Sequence, residues 1–173
     1  MRWGQNAMFS KIDIRSIVAD HYKTLISLKT KKCLFSDYFL FVGTPVIFSG
    51  IFYFYCLKID SSAASVITTA VTILAGLLFN LLVLIHTVSN RNKSYTTKED
   101  TYIIFMEVYS NISYSIFVSL ISLIPLIFLS IVTNNSSARI VSAIVIFLII
   151  HLLLTLLMIL KRIHLMLRLE FKS

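Results

Sequence analysis

Carboxylates are scarce in this chain: eight acidic residues stand against sixteen lysines and arginines. Asp37, Asp60 and Glu107 fall at the ends of apolar runs, where such groups are ordinarily solvated, and none falls inside the spans delimited below. A proton- or cation-coupled transporter usually places one at membrane depth, so its absence disfavours that class. No nucleophile elbow, phosphate loop or paired carboxylate motif occurs, which argues against an enzyme. The two cysteines, Cys33 and Cys56, bracket one apolar run and should lie roughly 35 Å apart at helical rise. Bridged Cα atoms lie within about 7 Å, so no disulfide is expected within the chain. His21, His86, His151 and His164 are dispersed and lack metal-ligand spacing, so neither a metal nor a cofactor is expected. The opening decapeptide, MRWGQNAMFS, has no apolar core of the signal-peptide kind, so the first apolar run is expected to direct insertion.

What is abundant is hydrocarbon. Apolar residues make up 57% of the chain and mean hydropathy is +0.85, against about 45–50% apolar in soluble domains. They come as long uncharged runs without a 3.6 or 2 period, the pattern of a multi-span helical membrane protein. Four runs of spanning length are legible, at about 38–57, 63–88, 108–132 and 138–160. The expected fold is therefore all-α and integral to the membrane. Its four transmembrane helices form two antiparallel hairpins, because the Lys58–Ser62 and Thr133–Ser137 connections are very short.

An amphipathic helix over about 11–31 precedes them, within a cytoplasmic segment 1–36. Ser10 to Asp13 has capping-box spacing, and Ile14, Ile17, Val18, His21, Tyr22, Leu25 and Leu28 recur at helical steps. It is expected on the inner leaflet, on the cytoplasmic ends of the spans, or as a docking face. The polar loop 89–107 offers a second capping box, Thr96 to Glu99, opening a helix of more than 30 residues. Pro125 should weaken or kink that helix. Ser137 is placed to cap the fourth span, and 161–173 forms a cytoplasmic tail that continues its helix.

Lysine and arginine are sharply partitioned: seven in the N-terminal segment, three in the central loop and four in the tail, against Lys58 and Arg139 in the short loops. This positive-inside bias puts both termini in the cytoplasm. It also accounts for the net charge of +8 through anionic lipid, without a direct nucleic-acid partner.

Polar residues at membrane depth carry the functional information. Ser65, Thr69, Thr72 and Gly76 form a small-residue stripe on the second span, and the next step reaches Asn80. Asn111, Ser115, Ser119 and Ser122 form a second stripe on the third. Each stripe is expected either to pack helices or to line a pathway. Asn80 and His151 both lie about 15 Å above the inner boundary, so an intramembrane Asn80–His151 contact is expected, within one subunit or across a subunit interface, with Thr155 on the face of His151. It serves either helix register or a pore-lining or proton-sensing role. Four spans alone cannot both bury the stripes and line a conduit, so a homo-oligomer is expected. Leu77, Leu81 or Leu84 would provide a hydrophobic constriction.

The segments Ile12–Leu25, Ala75–Ile85 and Glu107–Ile116 together resemble small four-span bacterial inner-membrane proteins found in anti-phage defence loci. The resemblance covers about residues 10–120, and Asn80 and Asn111 are the polar positions associated with it. It implies either a membrane effector that permeabilises the inner membrane when triggered, or a subunit that holds a cytosolic defence protein.

Overall fold

The computed structural model describes residues 14–24, 39–91, 99–131 and 135–170, and every element among them is helical. Helix α1 is Arg15–Thr24. A π-helical turn, Phe39–Gly43, leads into α2, Thr44–Phe54. The long helices are α3, Ser61–Arg91; α4, Glu99–Ile131; and α5, Asn135–Glu170. Three stretches are long and apolar enough to cross a membrane: Ser61–Thr87, Ile103–Ile131 and Ser136–Leu165. The fourth apolar helix, Phe39–Phe54, is shorter, where the sequence suggests a full span at 38–57.

Helix ends follow local chemistry. The Asp60 carboxylate accepts the Ala63 N–H at 3.0 Å, capping α3. Pro45 falls in the first turn of α2, directly after the π-helical turn, and has no N–H to give to the carbonyls of that turn. α2 ends in a Schellman arrangement: the Cys56 N–H reaches the Tyr53 carbonyl and the Leu57 N–H reaches that of Phe52, with Cys56 at φ 54°. α5 begins at Asn135, so Ser137 lies inside the helix and does not cap it. Both proposed capping boxes rest on residues outside those described. Pro125 sits within α4, which continues to Ile131.

α4 is the central helix, the most buried of the three long ones, and α3 is the least buried. α3 and α5 both pack on it, α2 packs on α5, and α1 packs on α4. α2 does not form a close hairpin with α3 despite the short connection. Instead, Ser49 Oγ donates to the Ala143 carbonyl at 2.8 Å and the Ile59 N–H donates to Ser142 Oγ at 3.0 Å. Small residues at 142 and 143 let the backbones approach, and these bonds reward it. α3 contributes a seven-residue repeat to the core, Ala64, Val71, Leu78 and Ile85. These meet Leu126, Leu129 and Val145 at one end, and Ile104, Val108, Ile112 and Ile159 at the other.

The face α3 buries is not the one its polar residues mark. Ser65, Thr69, Thr72, Gly76 and Asn80 are all exposed. Thr69 and Thr72 donate to the carbonyls four residues back, so their hydroxyls need no outside partner. The α4 stripe is the opposite case: Asn111, Ser115, Ser119 and Ser122 are fully buried. Ser115, Ser119 and Ser122 also bond back to their own helix, leaving small, satisfied surfaces for packing. Of the two readings open for that stripe, packing within the chain is the one realised.

Candidate functional site: a buried polar junction

Hydrogen-bonding groups from four elements converge where α1 and the start of α2 meet α4 and α5. His21 and Asn111 are both fully buried. His21 Nδ1 lies 2.8 Å from Asn111 Oδ1. An amide oxygen can only accept, so Nδ1 carries the proton and donates. Thr24 Oγ1 lies 2.9 Å from the same oxygen and 2.6 Å from the His21 carbonyl. Its single proton serves one of them at a time. His21 Nε2 and Asn111 Nδ2 are buried without a partner. The His21 ring stacks on Tyr114 with centroids 3.8 Å apart and planes 5° from parallel.

A second histidine is held at the same level. His151 Nδ1 lies 3.1 Å from the Phe41 carbonyl, inside the π-helical turn. The carbonyl accepts, so Nδ1 is protonated and Nε2 keeps its lone pair for the Tyr114 hydroxyl at 2.9 Å. Phe147 stacks over the ring, and Thr155 Oγ1 donates to the His151 carbonyl at 2.8 Å. The expected Asn80–His151 contact does not form. Both His151 nitrogens are taken, and Asn80 lies exposed on the outer face of α3. Equal depth along two helices does not fix which side of the bundle each residue faces.

Two further expectations are corrected. Glu107 is not a solvated end group: it lies within the apolar stretch of α4 and pairs with Arg162, the side chains 13% and 15% exposed. Arg162 also donates to the Thr24 carbonyl, tying α1, α4 and α5 together. Helix α1, in turn, lies neither on the membrane surface nor on the span ends. Ile17 and Val18 pack with Tyr114, Val118 and Leu152, deep along the bundle.

Burial is the main force on His21. It drives the imidazole down to about 4 from an ordinary 6.5. The Asn111 hydrogen bond opposes that fall, while His151 and Arg162 add to it. The docked imidazole is therefore neutral at physiological pH.

Beside the junction lies a cleft of about 240 Å³, lined among others by Tyr22, Val42, Tyr114, Phe117, Phe147 and His151. Among the described residues no group of three or more histidine, cysteine or acidic side chains is placed to hold a metal. The reading of His21 as a cytoplasmic residue missed this site. The available signal was an amphipathic helix whose apolar face carries a histidine and a threonine three apart. The chain matches no family model, no curated protein and no solved structure.

Proposed function

We propose that this chain is a non-enzymatic, homo-oligomeric protein of the bacterial inner membrane, with four crossings and both termini cytoplasmic. It acts as a gated, membrane-permeabilising effector in anti-phage defence. The observation that supports the oligomer is the outward face of α3. Ser65, Thr69, Thr72 and Gly76 make a flat track, and Asn80 places an exposed amide at hydrocarbon depth. No hydrogen bond serves that amide among the described residues. In lipid such a group is costly, whereas a second α3 satisfies it and packs closely along the track. Leu77 and Leu84 flank it, 61% and 58% exposed, and supply the apolar constriction of a closed state.

Gly76 offers the direct test, because a Cβ added there meets nothing within 4 Å. In membranes, Gly76→Cys should form a disulfide-linked dimer under mild oxidation. Asn80→Leu should weaken association about 5- to 30-fold, the equivalent of one interhelical hydrogen bond. A deregulated form should depolarise cells. If Gly76→Cys stays monomeric, the α3 face is lipid-facing and the oligomer reading falls. A non-conducting anchor for a cytosolic protein is the competing reading. It predicts stoichiometric recovery of a soluble protein in detergent pull-downs and unchanged membrane potential.

A further inference from the structure

The depth of α1 follows from its contacts. His151 lies at the middle of the apolar stretch Ser136–Leu165, and Tyr114 lies three residues from the middle of Ile103–Ile131. His21 stacks on Tyr114, so it sits close to the bilayer midplane. Thr24 is three residues from His21, about 4.5 Å along the helix, and its hydroxyl shares Asn111 Oδ1 with the imidazole, so it lies at nearly the same depth. Its carbonyl is reached by the side chain of Arg162, which lies further along α5 on the inner side. Helix α1 thus lies alongside the middle of α4 and α5, with its Thr24 end toward the inner side. Yet its other face is polar. Arg15, Ser16, Ala19, Asp20 and Lys23 are exposed, with the Asp20 and Lys23 side chains 54% and 71% accessible and paired at 2.9 Å.

Such a face is not compatible with lipid. A charged side chain near the centre of a bilayer is strongly disfavoured even on permissive scales. Lys23, two residues from His21, lies within about 3 Å of the same depth, and its ammonium pairs with Asp20, so neither charge stands at the headgroups. A cleft beside α1 marks a concavity at this same level, where Tyr22, Tyr114 and His151 stand among six apolar side chains.

We infer that the exposed face of α1 borders a water-filled crevice that opens to the cytoplasmic side and reaches the middle of the bilayer along α4 and α5. The crevice admits water and small hydrated ions, and α1 forms its wall, with His21 sealed behind it. This goes beyond the proposed oligomer and does not require it. The crevice lies on the α1 flank of α4, while the oligomer track lies on α3.

Thiol reactivity in inside-out membrane vesicles tests it. Ala19→Cys, with Cys33 and Cys56 replaced by serine, is treated with a charged, membrane-impermeant thiosulfonate. Asp20→Cys gives a second reading from the same face. Ile124→Cys, on an exposed apolar position of α4, is the lipid-facing reference, and Arg168→Cys the cytoplasmic one. The reagent needs a hydrated thiolate, so Ala19→Cys and Asp20→Cys should react on the order of 100-fold faster than Ile124→Cys. They should approach the rate of Arg168→Cys. If both react as slowly as Ile124→Cys, the crevice does not exist. Slow reaction with disulfide-linked dimers through position 19 puts a second copy of the chain on this face and equally overturns the proposal. Gly76→Cys cross-linking reports the oligomer separately, so either reading can fail alone.

Discussion

His21 shows how one side chain couples the position of a helix to pH. Docked, its ring is buried against Tyr114, bonded to Asn111, and faced by His151 and Arg162, with Glu107 neutralising Arg162 from α4. Released into water, it would titrate near 6.5, whereas docked it titrates near 4. The undocked state therefore binds a proton more readily. Docking is at full strength above pH 6.5, weakens as pH falls toward 4, and changes no further below that. The whole excursion is worth roughly 300-fold in the docking equilibrium. Spin-label distances between α1 and α5, taken from pH 7.5 to 4, should show a growing displaced population. His21→Gln keeps hydrogen-bonding capacity without the charge and should flatten the response. An equal response in that variant would assign the effect to another group. None of this was visible locally, because His21 and Asn111 are 90 residues apart. What the sequence displayed at this scale was the rarity of amides and imidazoles within apolar surroundings, which marked Asn80, Asn111 and His151 alike, whereas only the last two belong to the junction.

The long helices were readable as elements because twenty uncharged residues in a row have few other uses. Their facing was not. Lipid is as apolar as leucine, so no hydrophobic force turns one side of such a helix inward. The α3 stripe and the α4 stripe look alike in sequence, yet one is exposed and the other fully buried. The inward face of α3, Ala64 to Ile85 in steps of seven, is apolar among apolar neighbours and leaves no mark. The end of α2 is a further case. Its left-handed position is held by Cys56, although glycine adopts φ 54° without the Cβ penalty. Cys56 is exposed and its backbone already makes the terminating hydrogen bond, so Cys56→Gly should stabilise the protein by about 1 kcal/mol. The check is thermal unfolding in detergent, where an unchanged or lower midpoint would show that the turn is not under strain.

For the whole molecule, parity is the sharpest test. Three long helices alone would leave the termini on opposite sides, whereas a fourth crossing through α2 brings them together. The lysine and arginine distribution calls for the second arrangement. Tags at the two ends should both be protected in sealed cells and both exposed in inside-out vesicles. One accessible tag in each preparation would remove α2 as a crossing. The same measurement bears on the pathway, since a chain with an odd number of crossings could not place both basic ends in the cytoplasm.

Sequence alone determined that this chain is helical and that at least three of its runs are made for lipid. These are properties of local composition and length, which lipid solvation reads without reference to partners. Tertiary structure decided which neighbours each helix chose. α2 took α5 through Ser49, Ser142 and Ala143, and α1 left the surface to place His21 against Asn111 and Tyr114. Those choices depend on small-residue approach and on pairing polar groups across long separations. Both are contact energies, which exist only once the helices stand side by side.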